Sequence, residues 1–599
     1  MDQPFGSRRR ELLIVGAVVL LGLLLRVVHV LLLQESPYFD HPSMDMDYHV
    51  QWARAFAAGE TFEEEAFFRA PLYPWFLGVC LKIFGPGLLA PRLVQALLGA
   101  TSVALTYLVG KRAFSPRAGL LAATLVATSW VLVHFDGLLL IPALAVPLDL
   151  LALYLTLGLT QDPRPRRAAL AGGVWGLSAI ARPNVLLFMP LLAGWLLLRN
   201  RASLRRGLAS VGAMAAGCLV PILPITAINL ARGDMALIST QAGVNLWIGN
   251  NPSSDGSTAI VPGTRGGWWE GRLESIALAE EAEGRELSPT EVSRHYTAKA
   301  LSWIAEEPGA ALAHLGWKAR LFWLDVELGN NLPVGFFARR YDPLMRASPV
   351  GFSLLAGLGI LGLVSALRRS ASRSFPVWGF LLIYSASVIA FFVCSRFRLP
   401  VLPVLAVLSG EGLVRIADGL KARDWRSVSG SLGLVLVAIL PTRLVPEQMV
   451  DPNSNGHLAL GRAALRDEDL TAAEEHFARA LELRAANAYA RVGLAETYRR
   501  QGLLDQAILT SELGLSRLAA VRRELGLRQP GEPELLTVLV QVHLDRDGPG
   551  PTAAVLQARL RRDPGACAAY DLLAQVYRRV GDAEAERGVL AAKAAAGCR

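Results

Sequence analysis

Long apolar runs, separated by short charged or turn-rich stretches, recur along the chain as far as residue 445 and then stop. The first, 12–33, is broken only by Arg26, His29 and glycines, and at 1.5 Å per residue such a helix spans the roughly 30 Å hydrocarbon core of a bilayer. Further runs lie at 88–110, 118–135, 137–158, 168–182, 183–198, 207–230, 350–367, 375–394, 398–417 and 428–445. This pattern predicts an all-α fold, a polytopic helical membrane bundle of about eleven crossings, the fifth and sixth of them short. The stretch 71–84 reaches only about 21 Å, too short to cross, and is expected to lie along the outer interface.

Beyond Pro446 the apolar runs give way to Ala, Leu, Arg and Glu at helical spacing. Taking Asn455 as the second residue of a unit, Leu460, Gly461, Ala464, Ala473, Phe477 and Ala480 fit the small-and-large pattern of a tetratricopeptide repeat, a helix pair of about 34 residues. The register continues at Leu494, Ala495, Tyr498, Gly502 and Ala507. After an insertion rich in Arg, Gly and Pro around 522–532, weaker units follow, the last marked by Tyr570, Leu573, Ala574, Tyr577 and Gly581. The expected organisation is a membrane domain over 1–447, with a first outer loop at 34–86 and a second at 231–349, and a tetratricopeptide-like α-solenoid over 454–599. Such arrays present a concave surface suited to a protein partner, or act as a stabilising cap.

Composition agrees with a membrane protein: of 599 residues, 52% are hydrophobic and 19% charged. The net charge of +9 would suit nucleic acid, but the basic residues sit at the ends of apolar runs, which excludes that partner and reads as a topology signal. Arg8 to Arg10, then Lys111, Arg112 and Arg117, Arg164 to Arg167, Arg201 to Arg206, Arg368 to Arg373 and Lys421 to Arg426 fall at alternate ends. The positive-inside rule then makes the N-terminus cytoplasmic, and both loops and the tail face outward from an inner (plasma) membrane. No small-residue cleavage signature precedes Glu35, so the first run reads as a retained anchor. Of five cysteines, Cys80, Cys218 and Cys394 fall in apolar segments and are expected simply to pack. Cys567 and Cys598 would meet as a disulfide if the tail is a helix hairpin in an oxidising compartment.

The first outer loop carries Asp45-Met46-Asp47-Tyr48, then Ala53 and Gly59, followed by Arg69-Ala70-Pro71-Leu72-Tyr73-Pro74. Later come Ala181-Arg182-Pro183-Asn184, Gly249-Asn250-Asn251-Pro252 and Ser395-Arg396-Phe397-Arg398-Leu399-Pro400. In this order the motifs resemble the GT-C superfamily of membrane glycosyltransferases. The likeness is to glycosyltransferase family 39, which includes protein O-mannosyltransferases and the lipid A aminoarabinose transferase. The family often has Asp-Glu where this chain has Asp45-Met46-Asp47. The resemblance implies an inverting enzyme that moves a sugar from a polyprenyl-phosphate donor to a hydroxyl of a protein, lipid or glycan.

That chemistry explains the residue types. An acceptor hydroxyl must lose its proton as it attacks, so a carboxylate within hydrogen-bond reach serves as base. Asp45 is the first candidate and Asp47 the second, with sugar binding or a divalent cation as the other role for Asp47. Guanidinium groups would stabilise the departing lipid phosphate; Arg182, Arg396 and Arg398 reach the outer face in this topology, with Arg69 a weaker fourth, and each is equally explained by snorkelling. Tyr48, Tyr73 and Asn184 complete the expected substrate contacts, together with Asp136, which closes the third run beside His134 and otherwise reads as a helix-to-helix hydrogen bond. Lys318 and Glu327 read first as part of an interfacial amphipathic helix. No nucleotide-binding glycine loop is evident, which favours a lipid-linked donor.

Three other readings compete. A lipid-linked polysaccharide ligase or polymerase would concentrate its residues in a late outer loop. A transporter would show internal repeats and mid-membrane charges. A membrane-anchored scaffold, working only through its repeats, would be indifferent to Asp45.

Overall fold

A computed structural model describes residues 7–264, 267–329, 331–342, 347–446, 452–525, 531–596 and 598. Every described element is helical, and the chain forms two compact units. The first comprises Met1–Ala259 and Leu287–Pro446; the second comprises Ile260–Glu286 and Glu447–Arg599. The stretch 231–349, expected as a second outer loop, is therefore divided between the two units, since 260–286 groups with the tail.

The first unit opens with α1 (Arg8–Leu32), capped by Ser7, whose side chain accepts from the Arg10 amide at 3.2 Å. Leu12, Leu13, Leu20, Leu24 and Leu31 are exposed while Gly22, Arg26, His29 and Val30 are buried. Apolar residues outside and polar ones inside is the arrangement a lipid solvent selects. The segment 34–86, expected as the first outer loop, folds as α2 (Asp45–Ala58) and α3 (Leu72–Phe84), the latter 13 residues long as the run length implied. There follow α4 (Leu89–Ala113), α5 (Pro116–Thr128), α6 (Trp130–Asp136), α7 (Pro142–Gly158), α8 (Pro165–Ala179), α9 (Met189–Arg199) and α10 (Leu204–Ala231).

Among the described residues, five helices are long and apolar enough to cross a membrane, or six if the pair α5 and α6, bent by 58°, is one span. Two other expected crossings, 137–158 and 183–198, fall on the shorter apolar helices Pro142–Gly158 and Pro183–Arg199. The runs at 350–367 and 375–394 share one 39-residue helix, Phe352–Ala390, broken by the non-helical Ser370 (φ −149°, ψ 30°). The run at 398–417 lies on Val401–Lys421, whose second half carries Glu411, Arg415 and Asp418.

Helix contacts in this unit depend on small residues, because lipid gives apolar side chains no reason to prefer protein and close backbone approach must supply the attraction. The crossing of α8 and α10 is the clearest case: a Cβ at Gly172 would lie 2.0 Å from the Met214 carbonyl, and one at Gly217 would lie 2.0 Å from that of Ala169.

The second unit is a succession of helices from Pro452–Arg466 to Ala583–Ala595, each packed on the next. Phe477 is fully buried, and Cβ atoms at Gly461 or Gly493 would enter its ring at 2.7 and 2.3 Å. The large position of the expected repeat is thus accommodated by glycines on two neighbouring helices. Ala473, Ala480, Ala490 and Leu494 close the same cluster. Part of the expected insertion, 526–530, lies outside the described residues. Cys567 and Cys598 form the disulfide expected for a hairpin, with Cα atoms 5.1 Å apart.

Replacing Gly217 with Val should force α8 and α10 apart, with an overpacking penalty of about 1–3 kcal/mol. The expected outcome is a lower melting temperature in detergent for Gly217→Val. Gly212→Ala on the same helix, where a Cβ would meet open space, should melt as wild type.

Candidate active site

The site is organised by the entry to α2. Met44 has φ +57° and ψ −126°, a left-handed backbone value that a methionine adopts only under constraint. The turn delivers Asp45 to the first helical position, where it is 2% exposed. Both carboxylate oxygens are occupied: Oδ1 lies 2.5 Å from Nη2 of Arg69, and Oδ2 pairs with Nη1 of Arg396. Arg69 precedes α3, and Arg396 belongs to the one-turn helix Ser395–Arg398, so one carboxylate joins three segments distant in the chain. Burial would raise the Asp45 carboxyl, but the Arg396 and Arg69 guanidiniums outweigh it and hold the group well below the usual carboxylate range.

Asp47 points elsewhere, as helical geometry requires of a residue two positions along. It is half-buried, accepts from Gln51 Nε2 at 2.6 Å, and is pushed above its ordinary carboxyl value by burial. Among the described residues no three His, Cys, Asp or Glu side chains gather as a metal-binding set. Tyr48 is fully buried; its hydroxyl donates to Glu63 Oε1 at 3.1 Å and its ring lies 5.3 Å from the Arg69 guanidinium. Glu63 also accepts from the Phe68 amide at 3.3 Å. It thereby fixes the segment that carries Arg69, a role no motif indicated.

Arg182 comes to the same place. Its Nη1 donates to the Arg396 carbonyl at 3.5 Å and its guanidinium lies 4.3 Å from the Phe397 ring centre. It has no ion-pair partner among the described residues, unlike Arg69, Arg396 and Arg398. A small apolar-walled cavity of about 20 Å³ opens beside the pair, lined by Met46, Phe135, Leu138, Leu332, Val334 and Arg396 among others. Arg396 is the one charged residue among the described residues of that wall.

The remaining expected site residues serve as ties between helices. Tyr73 donates to Gln95 Oε1 at 2.7 Å, and Gln95 Nε2 donates to the carbonyls of Asp136 and Leu138 at 2.9 and 2.8 Å. Asp136 pairs with Arg26 of α1 at 2.7 Å, in space left by Gly99, where a Cβ would lie 2.3 Å from both partners. His134 stacks edge-on with His29, which in turn lies 2.6 Å from Asp342 Oδ2. Asn184 donates to Ser387 Oγ at 3.0 Å.

Arg398 is taken up entirely by structure. It donates to the carbonyls of Leu324 and Val326, both at 2.7 Å, and pairs with Glu327 at 3.1 Å. Lys318 is likewise buried, donating to the carbonyls of Gly249 and Phe391 and to Asn250 Oδ1, each at 2.9 Å, and burial pushes its amine down to about 8. This explains the Gly249-Asn250 motif as a receptor for a lysine.

These roles separate by stability. Arg398→Ala should leave Glu327 as an uncompensated buried charge, a loss of about 3–5 kcal/mol, seen as a large fall in melting temperature. Arg182→Ala, which breaks no ion pair, should melt close to wild type.

Residues 68–227 match the family described as dolichyl-phosphate-mannose-protein mannosyltransferase. The matched segment contains Arg69, Tyr73, Asp136, Arg182 and Asn184, and ends before Arg396. No curated protein matches the sequence. Among solved structures, the apo oligosaccharyltransferase of Archaeoglobus fulgidus is 15% identical with a TM-score of 0.43, covering 74% of this chain, which spans 56% of that one. ArnT from Cupriavidus metallidurans bound to undecaprenyl phosphate is 17% identical with a TM-score of 0.34, over 69% of this chain and 79% of its own. The resemblance to GT-C membrane glycosyltransferases read from the motifs is thus joined by a family match over residues 68–227, that of the dolichyl-phosphate-mannose-protein mannosyltransferases.

Proposed function

We propose that the protein is an inverting glycosyltransferase that moves a sugar from a polyprenyl-phosphate donor to an acceptor hydroxyl at the outer face of the membrane. The observation that carries this reading is the position of Arg396, which pairs with the Asp45 carboxylate and at the same time lines a small apolar-walled cavity. A lipid phosphate has the matching form, a charged head on an apolar chain. Its phosphate would compete with Asp45 for Arg396, and Arg182 supplies a second guanidinium with no carboxylate to give up.

The exchange also answers a chemical difficulty. A carboxylate held by two arginines is a weak base, and transferring Arg396 to the donor phosphate relieves one of those contacts, so donor arrival would activate Asp45. The acceptor oxygen then attacks the anomeric carbon, the bond from that carbon to the phosphate oxygen breaks with its electrons remaining on phosphate, and the acceptor proton passes to Asp45. Charge growing on the phosphate is met by Arg396 and Arg182. The family match, to transferases described by a dolichyl-phosphate-linked sugar and a protein acceptor, supports the donor class.

The positive-inside pattern supports an inner-membrane protein with a cytoplasmic N-terminus and an outward-facing site and tail. The Cys567–Cys598 disulfide fits that placement, because such bonds persist in oxidising compartments. The helical-repeat reading of the tail, with a protein acceptor or partner on its surface, belongs to this proposal as well.

The test is transfer of labelled sugar in membranes from polyprenyl phosphates carrying mannose, glucose, N-acetylglucosamine or aminoarabinose. Asp45→Asn should lower kcat by about 10²–10⁴-fold at unchanged protein level, while Asp47→Asn changes it little. Retained transfer in Asp45→Asn would overturn the mechanism, and loss confined to Asp47→Asn would move the base two residues along. Arg182→Ala should raise the donor KM. For topology, a membrane-impermeant maleimide should label Cys567 and Cys598 on intact cells only after reduction; labelling only after lysis would place the tail inside.

A further inference from the structure

His49 follows Asp45 by one helical turn on α2, so the two side chains share a face. The imidazole is 1% exposed, edge-on to the rings of Tyr73 and Tyr48 at 5.1 and 5.7 Å. Neither Nδ1 nor Nε2 has a hydrogen-bond partner among the described residues. That is unusual, since a neutral imidazole carries one donor and one acceptor, and each is costly to bury unmade.

The neighbours have committed their polar atoms elsewhere. Both Asp45 oxygens are held by arginines, the Tyr48 hydroxyl by Glu63 and the Tyr73 hydroxyl by Gln95. The charged groups whose fields reach the ring are Arg69, Asp45 and Arg396, the three that define the site. Burial first, and then the Arg69 charge, push the imidazole down to about 3, so it is neutral at any working pH.

A neutral imidazole is complementary to a hydroxyl, which also donates and accepts. A phosphate or carboxylate would be met by the arginines instead. We propose that His49 is a positioning residue that hydrogen-bonds a substrate hydroxyl beside Asp45, either the one being glycosylated or one on the donor sugar. This role rests on the transferase reading above.

If His49 only packed, an apolar residue of similar size would serve as well or better, because it removes two unmade hydrogen bonds. His49→Leu therefore separates the alternatives when melting temperature and transfer are measured on the same full-length protein with the same donor panel. The expected result is a melting temperature equal to or above wild type, with transfer reduced about tenfold or more. His49→Gln and His49→Asn, which restore a polar group near Nε2 and Nδ1 respectively, should recover part of it.

A raised donor KM would assign the hydroxyl to the sugar, and a lowered kcat at saturating donor would assign it to the acceptor. A stable His49→Leu protein that transfers at the wild-type rate would overturn the role and leave the transferase reading intact. If Leu fails to fold, stable Gln and Asn variants with wild-type KM and kcat for both nitrogens replaced in turn would count equally against it. Absence of transfer by wild type from every donor would remove the transferase reading and this role with it.

Discussion

A carboxylate taken out of water persists as an anion only when its charge is matched nearby, and Asp45 meets that requirement by drawing Arg69 and Arg396 to itself from segments far apart in the chain. Other features of the site follow. Glu63 steadies the stretch of chain before Arg69, Tyr48 lies against that guanidinium, and Arg182 reaches the carbonyl of Arg396. The same pairing makes the resting site self-consistent without substrate, and it gives an incoming anion something specific to displace.

The arginines around this centre differ in what they are free to do. Arg26 and Arg398 are buried in ion pairs and carbonyl contacts that join helices; removing either leaves an acid stranded. Arg182 lies over an aromatic ring without a counter-ion among the described residues. Arg396 stands between the two conditions, paired yet facing a cavity. Function is expected where a charge is available at small structural loss, and only the last two meet that condition.

Much of this is legible in the amino-acid sequence. The apolar runs revealed a helical membrane protein, the length of 71–84 announced a helix too short to cross, and the motifs singled out Asp45 with Arg182, Arg396 and Arg398, and more weakly Arg69, as one set of candidates at one face of the membrane. What could not be read depends on rotation about helix axes and on local breaks. Arg396 and Arg398 are near neighbours in one motif, yet a single helical turn sends one to Asp45 and the other to Glu327. The break between α5 and α6 and the kink at Ser370 have no proline or glycine at the hinge to mark them. Glu63 and His49 carry no motif at all; the hydrogen bonds that Glu63 accepts from Tyr48 and Phe68 distinguish the first, and burial with unmade hydrogen bonds the second.

Met44 has a consequence for how this protein would respond to selection. Its left-handed backbone is disfavoured by roughly 1–3 kcal/mol for a residue with a side chain, and the turn it makes leads directly into Asp45. A search for heat-resistant variants would therefore be drawn to position 44, where glycine relaxes the turn. The variants it enriched would hold the carboxylate less firmly, so thermal robustness and turnover should pull against each other at this one bond.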